Sequence, residues 1–213
     1  MIKVLFLSEN CLFNSEQYLN RFFSYISCET ERWPNLDAMG WDDTFVSTCV
    51  NGFWLFYEYT YFDTVNEGNS WYAYGTDYCV DMPWDVQRTV SSVNYAGRGE
   101  GIDWDSLNLY SYDWFKGFYQ MVVDDYESRV EHQGSAIVTG CSPWTLKNTY
   151  DRNSCVCLYP GDTTNCYPGV YTNLNLNWKA LSAYKGCSCS NIIYPDTPTS
   201  KSVNGAYGIK GAS

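Results

Sequence analysis

Apolar and polar residues alternate along most of this chain. The alternation recurs in short stretches such as FWLFYEY at 53–59 and SAIVTG at 135–140. A period of two places every second side chain on the same face of a β-strand. Turn residues separate these stretches at intervals of roughly 8 to 12 positions, a spacing typical of sandwiches and barrels. The pattern therefore predicts an all-β fold.

The predicted strands share this alternation and are bounded by turn residues. They cover 3–7, 45–50, 53–59, 70–75, 89–97, 107–112, 118–123, 135–140, 144–146, 154–160 and 181–186. A helical spacing of apolar residues is hard to find, and its best candidate, near residues 18 to 25, is short and aromatic.

The chain also contains an internal repeat. Trp54 and Trp144, each near the start of a strand, stand 90 positions apart, and so do Ser92 and Ser182. A repeat of this length predicts two halves of one architecture. We expect two domains, at 1–97 and 106–189, joined by a glycine-containing linker at 98–105 and followed by an extended tail at 190–213.

Composition agrees with a β-rich protein, since 18% of the residues are aromatic and aromatic side chains suit a pleated surface. The net charge of -11 argues against nucleic acid as a partner and favours cations. The acids are spread along the chain, so a solubilising surface is their simplest interpretation. No apolar run approaches the ~20 residues of a membrane-spanning helix.

Ten cysteines, divided four and six between the halves, indicate an oxidised, extracellular protein. Buried free thiols are the alternative, and zinc is less favoured because the close pairs are spaced CxC. The first residues are interrupted by polar side chains too early for a signal peptide. Either a leader is absent from this chain, or the protein stays in the cytoplasm, which we regard as less favoured.

One stretch, LNLYSYDWFKGFYQ at 107–120, identifies a family resemblance. Tyr110, Phe115 five positions later, and then Gly117 match the aromatic, aromatic, glycine pattern of a βγ-crystallin Greek key. Glycine takes a positive φ without steric cost, which allows the hairpin to fold back over its sheet. The aromatic ring packs across that fold, and a serine from a later strand satisfies a backbone group there.

A second stretch matches the family's Trp-x-x-Tyr-Glu opening through Trp54, Tyr57 and Glu58, with Phe62 following. Thr64 stands where glycine is expected, so this turn is predicted to be distorted or moved by an insertion. The first and fourth repeats are degenerate. They retain Phe6 with Cys11 or Phe13, and Trp144 with Lys147 in place of tyrosine.

The serine stands at corresponding positions in all four repeats, at Ser47, Ser92, Ser135 and Ser182. The chain thus resembles βγ-crystallins over about residues 2 to 188. The resemblance implies two Greek-key β-sandwich domains, each with two motifs. Calcium-binding members place two acidic or amide residues ahead of this serine, so the resemblance implies a calcium site, and the alternative is that the serines are structural and calcium binding is weak or absent. Asp42, Asp43 and Ser47 match that site best, although Val46 replaces the expected hydroxyl residue.

Catalysis finds little support in the sequence. His132 is the only histidine, and no common nucleophile, phosphate-loop or metalloprotease motif is present. The aromatic strands instead suggest a surface, since rings at successive positions occupy both faces of a strand. We predict an aromatic ligand surface at Tyr112, Trp114, Tyr119 and Trp71.

These observations favour a non-enzymatic structural or storage protein of the βγ-crystallin type, with weak calcium binding as an additional property. The alternative is a binding protein that uses exposed aromatic strands at a subunit interface. Its ligand would be a hydrophobic, carotenoid-type pigment or a carbohydrate, and its protein partner a second copy of the chain. A membrane-active role is disfavoured by the acidity of the chain.

Overall fold

A computed structural model describes residues 3–7, 32–64, 67–98, 101–126, 128–151, 153–178, 181–196 and 205–209. These residues group into two compact units, one within 1–95 and 204–213 and the other within 96–203. The fold is all-β, as the alternation predicts, and the described part of the chain contains no α-helix. Nor does that part contain any helix with the length and apolarity needed to cross a membrane.

Fourteen strands are described, and most of them coincide with a predicted apolar alternation. Their bounds are β1 Lys3–Leu7, β2 Phe45–Tyr57, β3 Ser70–Asp81, β4 Ser92–Ala96, β5 Ser106–Tyr110, β6 Tyr119–Val122, β7 Ser128–Val130, β8 Ser135–Thr139, β9 Trp144–Asn148, β10 Cys155–Leu158, β11 Gly169–Tyr171, β12 Leu181–Lys185, β13 Ile192–Ile193 and β14 Gly205–Ile209.

The first unit is built on one sheet in the order β1-β2-β3-β14, with β4 also paired to β2. The two predicted strands at 45–50 and 53–59 form the single strand β2. A bulge near Gly52 shifts the register of its pairing with β3, and the pairing continues on both sides of the bulge. Gly52 has φ 89°, and a Cβ there would lie 2.5 Å from the Tyr95 ring. The position therefore requires glycine.

The second unit contains two sheets, in the orders β13-β10-β9-β12-β7 and β11-β8-β5-β6. Buried residues from both sheets form one hydrophobic core, because alternate side chains of each strand face inward. Leu107 and Val138 contribute from one sheet, and Trp144, Leu146 and Leu158 from the other. Most of the described strand pairs in the two units are antiparallel. The pair β1–β2 in the first unit and the pair β10–β13 in the second unit are parallel.

Two segments of the predicted C-terminal tail are paired strands. Ile192–Ile193 forms β13 beside β10, and Gly205–Ile209 forms β14 beside β3. These pairings are long-range, and the glycine- and proline-rich composition of 190–213 carries no alternation that would predict them.

Four disulfides are described, and each closes within one of the predicted halves. They are Cys49–Cys79, Cys141–Cys166, Cys155–Cys189 and Cys157–Cys187. The described cysteines include no free thiol, and Cys11 and Cys28 lie outside the described residues. Four bridges in one chain indicate an oxidising environment of the extracellular type.

Candidate functional site

A folded hairpin follows β5 and contains the motif that identified the family resemblance. Trp114 and Phe115 have positive φ angles of 60° and 63°, so the backbone reverses sharply between β5 and β6. The Phe115 ring packs edge-on against Tyr110, with centroids 5.6 Å apart. The Ser135 hydroxyl of β8 accepts a hydrogen bond from the Phe115 N–H at 2.8 Å and donates one to the Tyr112 carbonyl at 2.6 Å.

The same arrangement occurs in the first unit, after β2. The Tyr57 and Phe62 rings pack edge-on at 5.9 Å. The Ser92 hydroxyl of β4 accepts from the Phe62 N–H at 3.1 Å and donates to the Tyr59 carbonyl at 2.6 Å. In both hairpins the bridged carbonyl and the second ring follow the first ring by two and five positions. Two distant segments of sequence therefore form the same local structure.

The two hairpins differ after the second aromatic residue. In the second unit the chain continues to Gly117, at φ 82°, whereas in the first unit Asp63 takes φ 51° directly after Phe62. The buried Asp63 carboxylate accepts hydrogen bonds from the N–H groups of Glu67 and Gly68. The left-handed residue thus lies one position before Thr64. An aspartate tolerates the left-handed conformation at this position because its short polar side chain forms hydrogen bonds with the neighbouring backbone.

The residues of the predicted calcium site lie at the start of β2. Burial, together with the negative charges of Asp42 and Glu58, raises the pKa of Asp43 above its usual value. Asp42 Oδ1 is a buried oxygen that has no hydrogen-bond partner among the described residues. The negative charges of Asp42 and Glu58 therefore both act on Asp43. Glu58 is the one of these three carboxylates that the sequence did not predict as part of the site. No local signal in the sequence relates Glu58 to Asp43, because their interaction depends on the tertiary structure.

Ser47, the third predicted calcium ligand, is 5% exposed, and within the described part of the chain its hydroxyl also lacks a hydrogen-bond partner. Geometry alone does not assemble a closed metal centre here. Within the described ranges, no three His, Cys, Asp or Glu side chains meet closely enough to hold a metal ion. The predicted loop thus combines carboxylate repulsion with two unsatisfied oxygens.

The predicted aromatic ligand surface is only partly assembled. Tyr112 is 37% exposed, while Trp114 and Tyr119 are half-buried, and the Tyr119 hydroxyl donates to Asn108 Oδ1 at 3.1 Å. Trp71, in contrast, is 1% exposed and belongs to the core of the first unit. Trp71 therefore contributes to core packing and not to a surface.

The opposite face of β2 and β3 is also buried, contrary to the expectation that one aromatic face would be exposed. Phe53, Tyr72 and Tyr74 are at most 5% exposed, and Phe53 stacks on both tyrosines at 5.2 and 5.3 Å. A cavity beside Trp71 has a volume of only about 10 Å³. That space holds one water molecule and excludes a pigment.

Phe118 is the exposed aromatic residue near Tyr112 that sequence reasoning did not assign to the surface. It is 66% exposed, and the His132 ring stacks on it at 6.2 Å. Partial burial lowers the pKa of His132, and the nearby Glu131 partly offsets that effect. His132 thus packs against the exposed Phe118 ring next to the folded hairpin.

No protein-family model matches this chain, and no curated protein matches it. The interpretation of its function therefore depends on the geometry described above.

Proposed function

We propose that this chain is a non-catalytic, βγ-crystallin-like structural or storage protein of the extracellular space, with two domains of two Greek keys each. The observation that carries the proposal is the recurrence of one hairpin geometry. Tyr57, Phe62 and Ser92 repeat the spacing and contacts of Tyr110, Phe115 and Ser135, with the exception of the longer interval before the serine. One local structure in two places favours repeated motifs over a chance arrangement.

The physical properties of these hairpins suit long-lived material. Tyr57, Tyr110 and Phe115 are buried and Phe62 is half-buried, and in each hairpin a buried serine hydroxyl satisfies two backbone groups. Disulfides within each half add stability by restricting the unfolded chain. A protein that must persist at high concentration benefits from such closed and cross-linked structure, whereas an enzyme requires an accessible reactive group.

Prolonged storage tests this proposal. Purified protein is held at high concentration and physiological temperature with a broad-specificity protease, and the intact fraction and light scattering are followed over weeks. We expect a clear solution with little cleavage of residues 32–189. A Ser92→Ala, Ser135→Ala double variant should be cleaved and should aggregate much sooner. Rapid loss of the wild-type protein would contradict a structural role.

Calcium binding is a second candidate function, favoured by the raised pKa of Asp43 and the unpartnered oxygens of Asp42 and Ser47. A bound Ca²⁺ would neutralise the repulsion between the carboxylates and coordinate their oxygens. Glu58 adds to the negative charge that a bound cation would neutralise, but within the described residues it is not close enough to Asp42 and Asp43 to be a third carboxylate ligand.

The calcium proposal predicts that one substitution, Asp43→Asn, affects the melting temperature differently in the absence and in the presence of calcium. Asp43→Asn removes like-charge repulsion, so without calcium its melting temperature should equal or exceed that of the wild type. Calcium should then raise the melting temperature of the wild type by more than that of the variant, because a neutral amide oxygen replaces a charged ligand. Asp37→Asn, at an exposed position in the same unit, serves as the control. A calcium effect of equal size in Asp43→Asn would exclude this site.

The alternative of a ligand-binding protein is supported only by the aromatic side chains beside the second hairpin, Tyr112 and Phe118, which are 37% and 66% exposed. A hydrophobic pigment or a sugar ring would stack on them, with or without a second copy of the chain. Absorbance beyond the aromatic band, measured together with the mass of the natively purified protein, tests this alternative. A colourless monomer would exclude the pigment.

A further inference from the structure

Tyr126 lies in the bend between β6 and β7 and is 70% exposed. Asp124 and Asp125 directly precede it in the sequence. We propose that Tyr126 is a tyrosine O-sulfation site, modified by a sulfotransferase before the protein is secreted. The inference rests on exposure, neighbouring charge and cellular compartment. It shares the extracellular compartment with the function proposed above but not the structural or storage role.

The acidic neighbours make Tyr126 a suitable substrate for such an enzyme. A transferase that binds an anionic sulfate donor must present a cationic site, because the donor and the transferred group are negatively charged. Acidic residues directly before the tyrosine steer it into that site. The Asp125 side chain is 78% exposed even though it pairs with Lys185 at 2.9 Å, so water screens this pair.

The Tyr126 hydroxyl is accessible despite a local interaction. It donates a hydrogen bond to the Asp124 carboxylate, an interaction that raises the pKa of the phenol. Tyr126 is exposed and Asp124 is half-buried, and a pair that water reaches contributes little to stability. The enzyme therefore opens this bond at small cost, and no core residue has to move.

The disulfides place the chain in the appropriate compartment. Bridges of this kind form in the lumen of the secretory pathway, through which extracellular proteins pass. Sulfotransferases that act on secreted proteins meet their substrates there, whereas cytosolic kinases do not.

Other exposed tyrosines fit the site less well. Among described tyrosines that are more than 40% exposed, Tyr61, Tyr150 and Tyr194 directly follow an uncharged residue. Tyr59 follows Glu58, but the Glu58 carboxylate accepts a hydrogen bond from the Asn69 N–H. The Tyr59 ring also lies over Gly68, where an added Cβ would be 2.7 Å away. Tyr126 alone in this group combines high exposure with two preceding aspartates.

The reaction is a group transfer without oxidation or reduction. The Tyr126 phenolic oxygen attacks the sulfur of a nucleotide phosphosulfate, and a new sulfur–oxygen bond forms. The bond from sulfur to the donor's phosphate oxygen breaks, and the nucleotide phosphate leaves with its electron pair. The phenolic proton passes to a base of the transferase, so the modified turn gains one negative charge.

Incubation of the folded, disulfide-bonded protein with a tyrosylprotein sulfotransferase and a radiolabelled phosphosulfate donor tests the proposal directly. We expect incorporation that approaches one sulfate per chain and a mass increase of about 80 Da. Tyr126→Phe should reduce incorporation to background, and Asp124→Asn with Asp125→Asn should reduce it strongly. Tyr150→Phe, which changes a tyrosine that is 79% exposed, should have no effect.

Two results would overturn the assignment: no incorporation into the wild type, or equal incorporation into wild type and Tyr126→Phe. Because the assay contains no kinase and no nucleoside triphosphate, phosphorylation does not contribute to the signal. The melting temperature of Tyr126→Phe, measured in parallel, should match that of the wild type and so separates loss of the acceptor from loss of the fold.

Discussion

The Tyr171 hydroxyl holds both backbone polar groups of Tyr159. It donates a hydrogen bond to the Tyr159 carbonyl at 2.7 Å and accepts one from the Tyr159 N–H at 2.6 Å. Tyr171 is 1% exposed and Tyr159 is half-buried, so these bonds are partly shielded from water and hold the chain in place just after β10.

Tyr171→Phe should lower the free energy of unfolding by about 2 kcal/mol, because two partly buried backbone groups lose their partner. Urea unfolding measures the change. Tyr150→Phe, at an exposed position, is the matched control and should change the stability by less than about 0.5 kcal/mol. Equal effects of the two substitutions would show that the Tyr171 hydroxyl is not structural.

The same tyrosine predicts a loss of stability at alkaline pH. Burial raises the pKa of Tyr171 far above its ordinary value. A raised pKa in the folded state gives stability that is complete below the unfolded pKa of about 10 and declines as the pH rises beyond it. The melting temperature of the wild type should therefore fall more steeply above that pH than the melting temperature of Tyr171→Phe. Parallel pH profiles would contradict this assignment.

The lowered pKa of Asp105 predicts a loss of stability at acidic pH. Although burial acts to raise its pKa, hydrogen bonds from Ser142 and Lys185 outweigh burial and lower the pKa. The carboxylate also accepts from the Cys141 N–H at 2.9 Å. A lowered carboxyl pKa gives stability that is complete above the unfolded value of about 4 and is lost as the pH falls through the folded value. Asp105→Asn should flatten this acid dependence, whereas the exposed Asp103→Asn should leave it unchanged.

The serine of the second folded hairpin should be important for stability. Ser135→Ala leaves the Phe115 N–H and the Tyr112 carbonyl without their partner, which should cost about 2 kcal/mol. Ser190→Ala, at an exposed position in the same unit, should be neutral. Thermal unfolding of both variants measures the difference. A neutral Ser135→Ala would remove the principal support for the repeated-motif proposal.

Gly117 tests the steric requirement of the same hairpin. Gly117→Ala places a side chain at φ 82°, with its Cβ 2.5 Å from Ser111 Oγ and 2.7 Å from the Tyr112 ring. Gly186→Ala, at φ 100°, meets no atom within 4 Å and therefore measures the backbone cost alone, about 1 kcal/mol. We expect Gly117→Ala to be the more destabilising change in urea unfolding. The reverse order would mean that the hairpin relaxes freely.

The sequence by itself determined the all-β class and most of the strand positions. Period-two alternation is a local property, because successive side chains of a strand point to opposite faces whatever the strand packs against. β8 and β12 fall where apolar runs predict them, and Tyr110, Phe115 and Ser135 form the expected contacts because their spacing is compatible with one hairpin.

Only the tertiary structure decided which alternating faces are covered and which distant groups meet. Trp71, Phe53 and Tyr74 carry the same apolar signal whether their face is exposed or buried, and all three are buried. The pairing of β14 with β3 and the effect of Glu58 on Asp43 are likewise non-local. Local pattern fixes the direction of a side chain along its own strand, but burial and electrostatics depend on segments far away in sequence.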